Sequence, residues 1–214
     1  FYGKYKVRDS RKGGYGKIPI SEIFERSSNT GMVQAIYNEY NSKPEQFVNR
    51  LMNMGLSEPL GLPIVGEAKP VIPHPDKKGW SGISLPWMAY GYGVLMTPMQ
   101  TLTFYNAIAN DGVMVRPRFI ENTQNTRSQI KKQSEVEIIN PSICSKETIG
   151  KVKSMLKGVV EKPWGTAHNI YDPNFAISGK TGTCQLDYNT EEVQYVASFV
   201  GYFPSDQPKY SCIV

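Results

Sequence analysis

The chain has 214 residues and a mass of 24.0 kDa, with 40% hydrophobic and 20% charged residues. These proportions exclude a disordered segment, and a chain of this length can bury a substantial core in one large domain or two small ones. The net charge is +5, but the basic residues are scattered, and the densest cluster is the pair Lys131-Lys132. We therefore predict no nucleic-acid partner, because such modules carry basic stripes interleaved with aromatic side chains.

Metal and cofactor chemistry also find no support in the sequence. The cysteines are Cys144, Cys184 and Cys212, an odd number without CxxC spacing, which disfavours both a zinc site and a disulfide framework. His74 and His168 lie far apart in the chain. No apolar run reaches the ~18–20 residues needed to cross a bilayer.

The first part of the chain predicts three helices. A short one covers 21–26, the triplet Ser27-Ser28-Asn29 interrupts it, and a second follows over 30–40. Short polar side chains prefer caps and turns to helix interiors, so the triplet is predicted at a helix junction, where side chains can point into a cleft. A third helix is predicted to begin at Ser42, which has capping-box spacing to Glu45, and to stop at Gly55.

The middle of the chain contains a long irregular segment and one clear helix start. Residues 56–90 hold six prolines and predict a loop that wraps a site. Thr97 as N-cap, Pro98 in the first turn and Gln100 completing the capping box predict a helix, which Asn110-Asp111-Gly112 ends.

The remaining elements predict an α+β fold. Residues 113–120 indicate an extended edge segment, 121–135 a polar surface loop, and 145–160 a helix followed by a loop over 162–172. Three strands are then predicted over 175–183, 193–203 and 210–214, as an antiparallel meander. Helices followed by a run of strands are typical of α+β folds with segregated layers. Because the sequence stops within the last strand, we expect a fragment.

The tetrapeptide Lys180-Thr181-Gly182-Thr183 is the strongest chemical signal. A lysine on a strand with an open edge supplies positive charge for a carboxylate, and threonine hydroxyls add neutral hydrogen bonds. The backbone N–H of Thr183 can face a developing oxyanion. The plainer interpretation is a strand that ends in a polar turn with a solvated lysine, and the tetrapeptide alone leaves the two open.

The triplet Ser27-Ser28-Asn29 is the second signal. Taken alone, a helix-capping role explains it better than chemistry. As chemistry, Ser27 can relay a proton, and Asn29 can hold a peptide amide with both a donor and an acceptor. What gives the triplet weight is its position before a late strand that carries Lys180.

With these motifs in this order, the chain resembles the transpeptidase domain of class B penicillin-binding proteins, whose fold the serine β-lactamases share. Similar segments run through nearly the whole chain, and Tyr90-Gly91-Tyr92-Gly93 favours the septal, division-specific (FtsI-like) type. The other segments are 8–14, 27–32, 97–100, 109–113, 165–167, 178–183 and 197–204. The resemblance implies an antiparallel sheet flanked by helices, here incomplete, with residues 1–214 forming a partial transpeptidase domain truncated at both ends.

One departure from the family pattern concerns the nucleophile. The family's Ser-x-x-Lys motif precedes the Ser-x-Asn triplet, and residues 1–26 contain none. The formal matches Ser128–Lys131 and Ser154–Lys157 follow the triplet, so we reject both, since a motif needs its structural context. We expect the nucleophile and its lysine upstream of Phe1, which would leave this chain inactive on its own.

The resemblance implies a mechanism and roles for the matching residues. A serine acyl-enzyme forms with a peptidoglycan stem peptide that ends in D-Ala-D-Ala, a neighbouring amine closes the cross-link, and β-lactams trap the acyl-enzyme. Ser27 would be the shuttle hydroxyl, Asn29 would orient the donor peptide, and Lys180 would set the field for the substrate carboxylate. The segment Thr181-Gly182-Thr183 would bind that carboxylate. No metal or cofactor is implied.

The resemblance also implies a cellular context and leaves alternatives open. The family acts at the extracytoplasmic, periplasmic face of the bacterial inner membrane, anchored by a segment outside this chain, with divisome membrane proteins as partners. A non-catalytic penicillin sensor or scaffold of the same fold is the alternative. A β-lactamase is a third reading, which the absence of a convincing deacylating glutamate motif in 56–90 disfavours.

Overall fold

The computed structural model describes residues 2, 5–119, 135–186 and 194–214, and the backbone of 122–124 and 131–133. The six α-helices in these ranges are α1 (Ile20–Glu25), α2 (Asn29–Tyr40), α3 (Pro44–Asn53), α4 (Ser84–Met88), α5 (Pro98–Ala109) and α6 (Lys146–Glu161). The strands are β1 (Met114–Val115), β2 (Asn122–Gln124), β3 (Lys131–Gln133), β4 (Ile138–Asn140), β5 (Ser178–Leu186), β6 (Gln194–Phe203) and β7 (Tyr210–Ile213). The predicted α+β class is confirmed.

The main sheet is the predicted antiparallel meander, in the order β5-β6-β7. Lys180 pairs with Val200, and Thr183 pairs with Ala197. Helix α6 packs on β5, and α5 packs on β6 and β7, so helices cover the sheet, in which β5 is an edge strand. The core between them contains Ala107, Leu156 and Tyr202.

Local capping chemistry sets two of the helix starts. Thr97 accepts from the Gln100 amide, and the Gln100 side chain accepts from the Thr97 amide, which completes the predicted capping box of α5. Ser145, predicted as the first residue of a helix over 145–160, is the N-cap of α6 and accepts from the Thr148 amide. Both helices pack against β5 or β6, so these starts fix where the sheet is covered.

The predicted start of α3 is wrong. The helix begins at Pro44, with Lys43 as an N-cap that makes no side-chain hydrogen bond, so Ser42 does not cap it. Pro44 has a preset φ and no N–H to satisfy, so it can begin the helix without a capping side chain. Gly55 ends this segment with φ +89°, a left-handed conformation that favours glycine.

The structure also refines three predictions of extended or irregular backbone. Helix α4 interrupts the predicted loop 56–90, because Leu85, Pro86 and Met88 are buried and α4 packs on α2. The predicted surface loop 121–135 contains an antiparallel hairpin of β2 and β3. The segment 113–120, predicted as a strand or extended edge segment, contains the strand Met114–Val115, which pairs with β4, and its last residue lies outside the described residues.

Across the described part of the chain, no helix has both the length and the apolar character needed to span a bilayer.

Candidate active site

Ser27 stands in a backbone position that usually requires glycine. It follows the last turn of α1 with φ +54°, its amide donates to Phe24 O (3.1 Å), and the next amide, of Ser28, donates to Ile23 O (2.9 Å). This is the glycine position of a helix C-terminal Schellman turn. A non-glycine residue held there costs about 1–3 kcal/mol and is often found at functional sites. Ser27 is exposed, so its hydroxyl is accessible to a ligand.

Ser28 and Asp9 build the N-terminus of α2. The Ser28 hydroxyl accepts from the Gly31 amide (3.1 Å) and donates to Asp9 Oδ1 (3.1 Å). Thr30 donates its amide to Asp9 Oδ1 (3.0 Å) and its hydroxyl to Asp9 Oδ2 (2.6 Å). A carboxylate at the first turn also interacts favourably with the helix dipole. Asp9 therefore fixes the triplet from a segment that lies 18 positions before Ser27.

Asn29 is the first residue of α2, and the N-terminal segment holds its side chain. Its Nδ2 donates to the carbonyl oxygen of Arg8 (3.0 Å). The Asn29 side chain is half-buried, and its amide oxygen is the acceptor that remains for a ligand.

Lys180 lies on β5, and its ammonium contacts Ser27 after the end of α1. Lys180 Nζ donates to Ser27 Oγ across 153 positions of sequence and to Thr181 O (3.1 Å). The Phe24 ring lies 5.9 Å from the same nitrogen. Burial lowers the pKa of Lys180 to about 8, because desolvation disfavours the charged form of an amine. The structure thus brings two of the predicted site residues, Ser27 and Lys180, into direct contact.

The threonines of the tetrapeptide lie on the other face of β5, since successive side chains of a strand alternate. Thr181 Oγ1 and Thr166 Oγ1 are 2.6 Å apart, in a hydrogen bond in which either hydroxyl can donate. Thr183 is exposed within the strand, which continues to Leu186. A Cβ on Gly182 would lie 2.7 Å from Ser198 Oγ, so a side chain there would press on β6.

Two contributing residues were missed as site residues by the sequence analysis. Asp9 and Thr166 lie in segments noted only for their family resemblance, 8–14 and 165–167. Neither shows a local pattern that predicts its contact, because the Asp9–Thr30 and Thr166–Thr181 contacts join residues 21 and 15 positions apart. Only the folded structure brings them to the motifs.

The rejected serine–lysine pair on α6 lies away from the site. Ser154 is exposed, and Lys157 Nζ contacts Asp206 Oδ1 (3.2 Å) and Glu161 Oε1 (3.6 Å). Its hydrogen bond to Asp206 raises the pKa of Lys157, which is opposite to what an activating base needs. The other formal match, Ser128–Lys131, has its side chains outside the described residues.

A cavity of about 810 Å³ opens beside α2 and is distinct from the contact of Ser27 with Lys180. Its lining includes Ser28, the N-cap of α2, and Thr30 in its first turn. The cations Arg8, Arg11, Lys12 and Lys17 also line it, but neither Ser27 nor Lys180 does. Elsewhere in the described ranges, no group of three or more His, Cys, Asp or Glu residues has the arrangement of a metal site.

Comparison with known families gives one match over almost the whole chain. A family model described as "Penicillin binding protein transpeptidase domain" matches residues 2–214. The penicillin-binding protein PbpB of Mycolicibacterium smegmatis is 30% identical over 221 residues, covering 97% of this chain and 32% of the relative. The peptidoglycan D,D-transpeptidase FtsI of Escherichia coli is 24% identical, over 98% of this chain and 33% of the relative. The chain spans about a third of the length of the curated relatives it matches.

Solved structures agree in fold. Penicillin-binding protein 3 of Mycobacterium tuberculosis in its apo form superposes with a TM-score of 0.83 at 28% identity, covering 98% of this chain and 48% of that one. The same protein complexed with ampicillin gives a TM-score of 0.81 at 28% identity, covering 96% of this chain and 46% of that one. An aztreonam complex of that protein matches equally well.

Proposed function

This chain belongs to the transpeptidase domain family of penicillin-binding proteins, and on that premise we propose that it is part of a septal peptidoglycan D,D-transpeptidase that also binds β-lactams. The observation that carries the proposal is the hydrogen bond from Lys180 Nζ to Ser27 Oγ. It joins the family's second and third motifs, which are 153 positions apart. Relatives named peptidoglycan D,D-transpeptidase FtsI support the division-specific type.

The proposed reaction proceeds through a serine ester. A serine hydroxyl attacks the carbonyl carbon of the penultimate D-Ala, the peptide C–N bond breaks, and the terminal D-Ala leaves with a proton on its nitrogen. An amine of a second stem peptide then attacks the ester, expels the serine oxygen and forms the cross-link. Two moderate barriers replace one high barrier. The serine nucleophile and its lysine are proposed to lie in a part of the protein outside these 214 residues.

The residues of this chain take the supporting roles. Ser27 relays the proton to the leaving nitrogen, a role that its hydrogen bond with Lys180 supports. Asn29 offers its amide oxygen to the donor peptide. Lys180 supplies positive charge, which its partial burial strengthens through the lower local dielectric.

The strand supplies the remaining contacts. The hydroxyls of Thr181 and Thr183 bind the terminal carboxylate of the substrate or of a β-lactam. The Thr183 amide provides one donor of the oxyanion hole, where preorganised N–H groups stabilise developing negative charge. Because β5 is the edge strand of its sheet, an extended peptide can pair along it.

The cellular setting is part of the proposal. Relatives are named peptidoglycan D,D-transpeptidase FtsI, and by the family resemblance we propose that the parent protein acts at the periplasmic face of the inner membrane, anchored outside this chain, with divisome membrane proteins as partners.

Covalent labelling by a fluorescent penicillin tests the proposal. The full-length protein should be labelled, with the label on a serine upstream of Phe1, and the 214-residue chain alone should not be. A labelled 214-residue chain would show that the nucleophile lies within it. A full-length protein that takes no label would overturn the transpeptidase assignment. A labelled protein that releases no D-Ala from a stem peptide would instead be the penicillin sensor of the same fold.

A further inference from the structure

A buried glutamate, Glu25, lies two residues before Ser27 and makes two hydrogen bonds to the loop 162–167. It is 6% exposed, at the last position of α1. Its carboxylate accepts from the indole of Trp164, with Nε1 2.6 Å from Oε2. Its carbonyl oxygen accepts from the Thr166 amide at 3.2 Å. A single residue therefore fixes the loop by both its side chain and its backbone.

The loop in turn contacts the strand that carries the tetrapeptide. Thr166 follows Trp164 by two positions, and its hydroxyl lies 2.6 Å from that of Thr181. A hydroxyl that accepts one hydrogen bond keeps its own proton to donate. If Thr166 donates to Thr181, the Thr181 proton is directed to a ligand rather than lost to a neighbouring acceptor.

Helix α6 leaves room for the glutamate at one position. A Cβ on Gly158 would lie 2.3 Å from Glu25 Oε1, so only glycine leaves space for the carboxylate. Glycine within a helix is otherwise unfavourable. The same helix contains Gly150, whose Cβ would meet nothing within 4 Å. The Gly158 contact therefore makes room for Glu25 and is not a general property of α6.

From these contacts we infer that Glu25 is a positioning residue. It acts through Trp164 and Thr166 to orient the Thr181 hydroxyl toward the carboxylate of the substrate or β-lactam. This inference depends on the proposed function for the identity of the ligand. These contacts also connect the segment that carries Ser27 to Thr181 on β5, because Glu25 precedes Ser27 by two residues.

The carboxylate of the ligand allows a positioning role to be distinguished from a merely structural one. Loss of a structural contact should slow acylation by the acid and by its ester equally, whereas loss of positioning should slow acylation by the acid more. In the full-length protein, second-order acylation is measured with a β-lactam carboxylic acid and with its methyl ester. E25A, W164F and G158A should each reduce the preference for the acid over the ester by roughly ten-fold, the size expected for one misdirected hydrogen bond to a charged group. E25Q keeps an oxygen that accepts from the indole and should retain most of the preference. G150A is the matched control and should retain all of it.

Two results would overturn the inference. One is an equal loss with acid and ester, which indicates general damage to the fold. The other is a wild-type acid preference in E25A. Failure of the proposed function is separate, because it leaves the wild-type protein unlabelled by either compound. In that case, the NMR chemical shifts of the Thr181 and Thr183 amides test the positioning role of Glu25. A change in E25A that is absent from G150A supports this role, and unchanged shifts refute it.

Discussion

Asp9 holds Thr30 with two separate hydrogen bonds, one from the threonine amide to Oδ1 (3.0 Å) and one from its hydroxyl to Oδ2 (2.6 Å). The same carboxylate accepts from Ser28. Three donors around one carboxylate fix the start of α2, and with it the relative positions of Ser27 and Asn29. The geometry of the triplet therefore depends on a residue outside it.

Replacing Asp9 by alanine should loosen this helix start. We expect D9A to lower the free energy of unfolding by about 1–2 kcal/mol, the upper range for a lost N-terminal cap, and to slow acylation of the full-length protein. Urea unfolding and labelling rates measure the two effects. Asp76 is an exposed carboxylate that lies 3.5 Å from His74 Nδ1, so D76A is the control and should change neither. A D9A protein with wild-type stability and rate would show that Ser28 alone caps α2.

Two substitutions of Ser27 separate its backbone strain from its hydroxyl. Glycine adopts the left-handed conformation without strain, whereas alanine keeps the strain. S27G should therefore have an unfolding free energy about 1 kcal/mol higher than S27A. Both variants remove the partner of Lys180, so both should slow acylation by at least about a hundred-fold, the lower range for a lost acid–base group. Urea denaturation and single-turnover labelling provide the measurements. An active S27G would rule out the shuttle role.

Lys180 predicts an alkaline limb in the pH profile. Because burial lowers its pKa from 10.5 to about 8, the amine is charged below pH 8 and loses its proton as the pH rises through that value. If the positive charge attracts the ligand carboxylate, the second-order acylation rate should fall above pH 8, since this rate constant reports the free enzyme. The guanidinium of K180R does not titrate in this range. Its profile should therefore lack the fall, whatever its absolute rate, and an alkaline limb that persists in K180R belongs to another group.

The serine–lysine pair on α6 should be dispensable for acylation. S154A and K157A are expected to keep penicillin labelling within about two-fold of wild type, and K157A should cost no more than about 1 kcal/mol of stability, as is usual for exposed ion pairs. K180A, compared in parallel, should label far more slowly. Loss of labelling in S154A would place the nucleophile on α6 and reverse the assignment made here.

The sequence predicted those parts of the fold that local chemistry controls. Thr97 with Pro98 and Gln100 specifies a helix start by itself, and alternation with turn residues specifies the meander of β5, β6 and β7. The predicted start at Ser42 was wrong because Pro44, whose φ is preset for a helix, is the first helical residue. Helix α4 was missed because it is stabilised by burial against α2, which no window of sequence contains.

The site shows the same division. Ser27 and Lys180 were selected by a family resemblance, and local pattern alone left both with plainer interpretations. Their contact across 153 positions exists only in the tertiary fold. Asp9, Glu25 and Thr166 were not predicted as site residues, because each acts through a partner that is distant in sequence.

Gly179 and Gly201 face each other across β5 and β6, directly beside Lys180. A Cβ on Gly179 would lie 2.3 Å from Phe199 Cζ and 2.6 Å from Val200 O, and one on Gly201 would lie 2.4 Å from Ser178 O. This flank of the strand therefore tolerates no side chain. Under the proposed function, heritable changes in antibiotic sensitivity that arise by substitution on β5 should therefore spare Gly179 and fall at positions such as Thr181 and Thr183, where altered contacts with the drug would also alter contacts with the natural peptide.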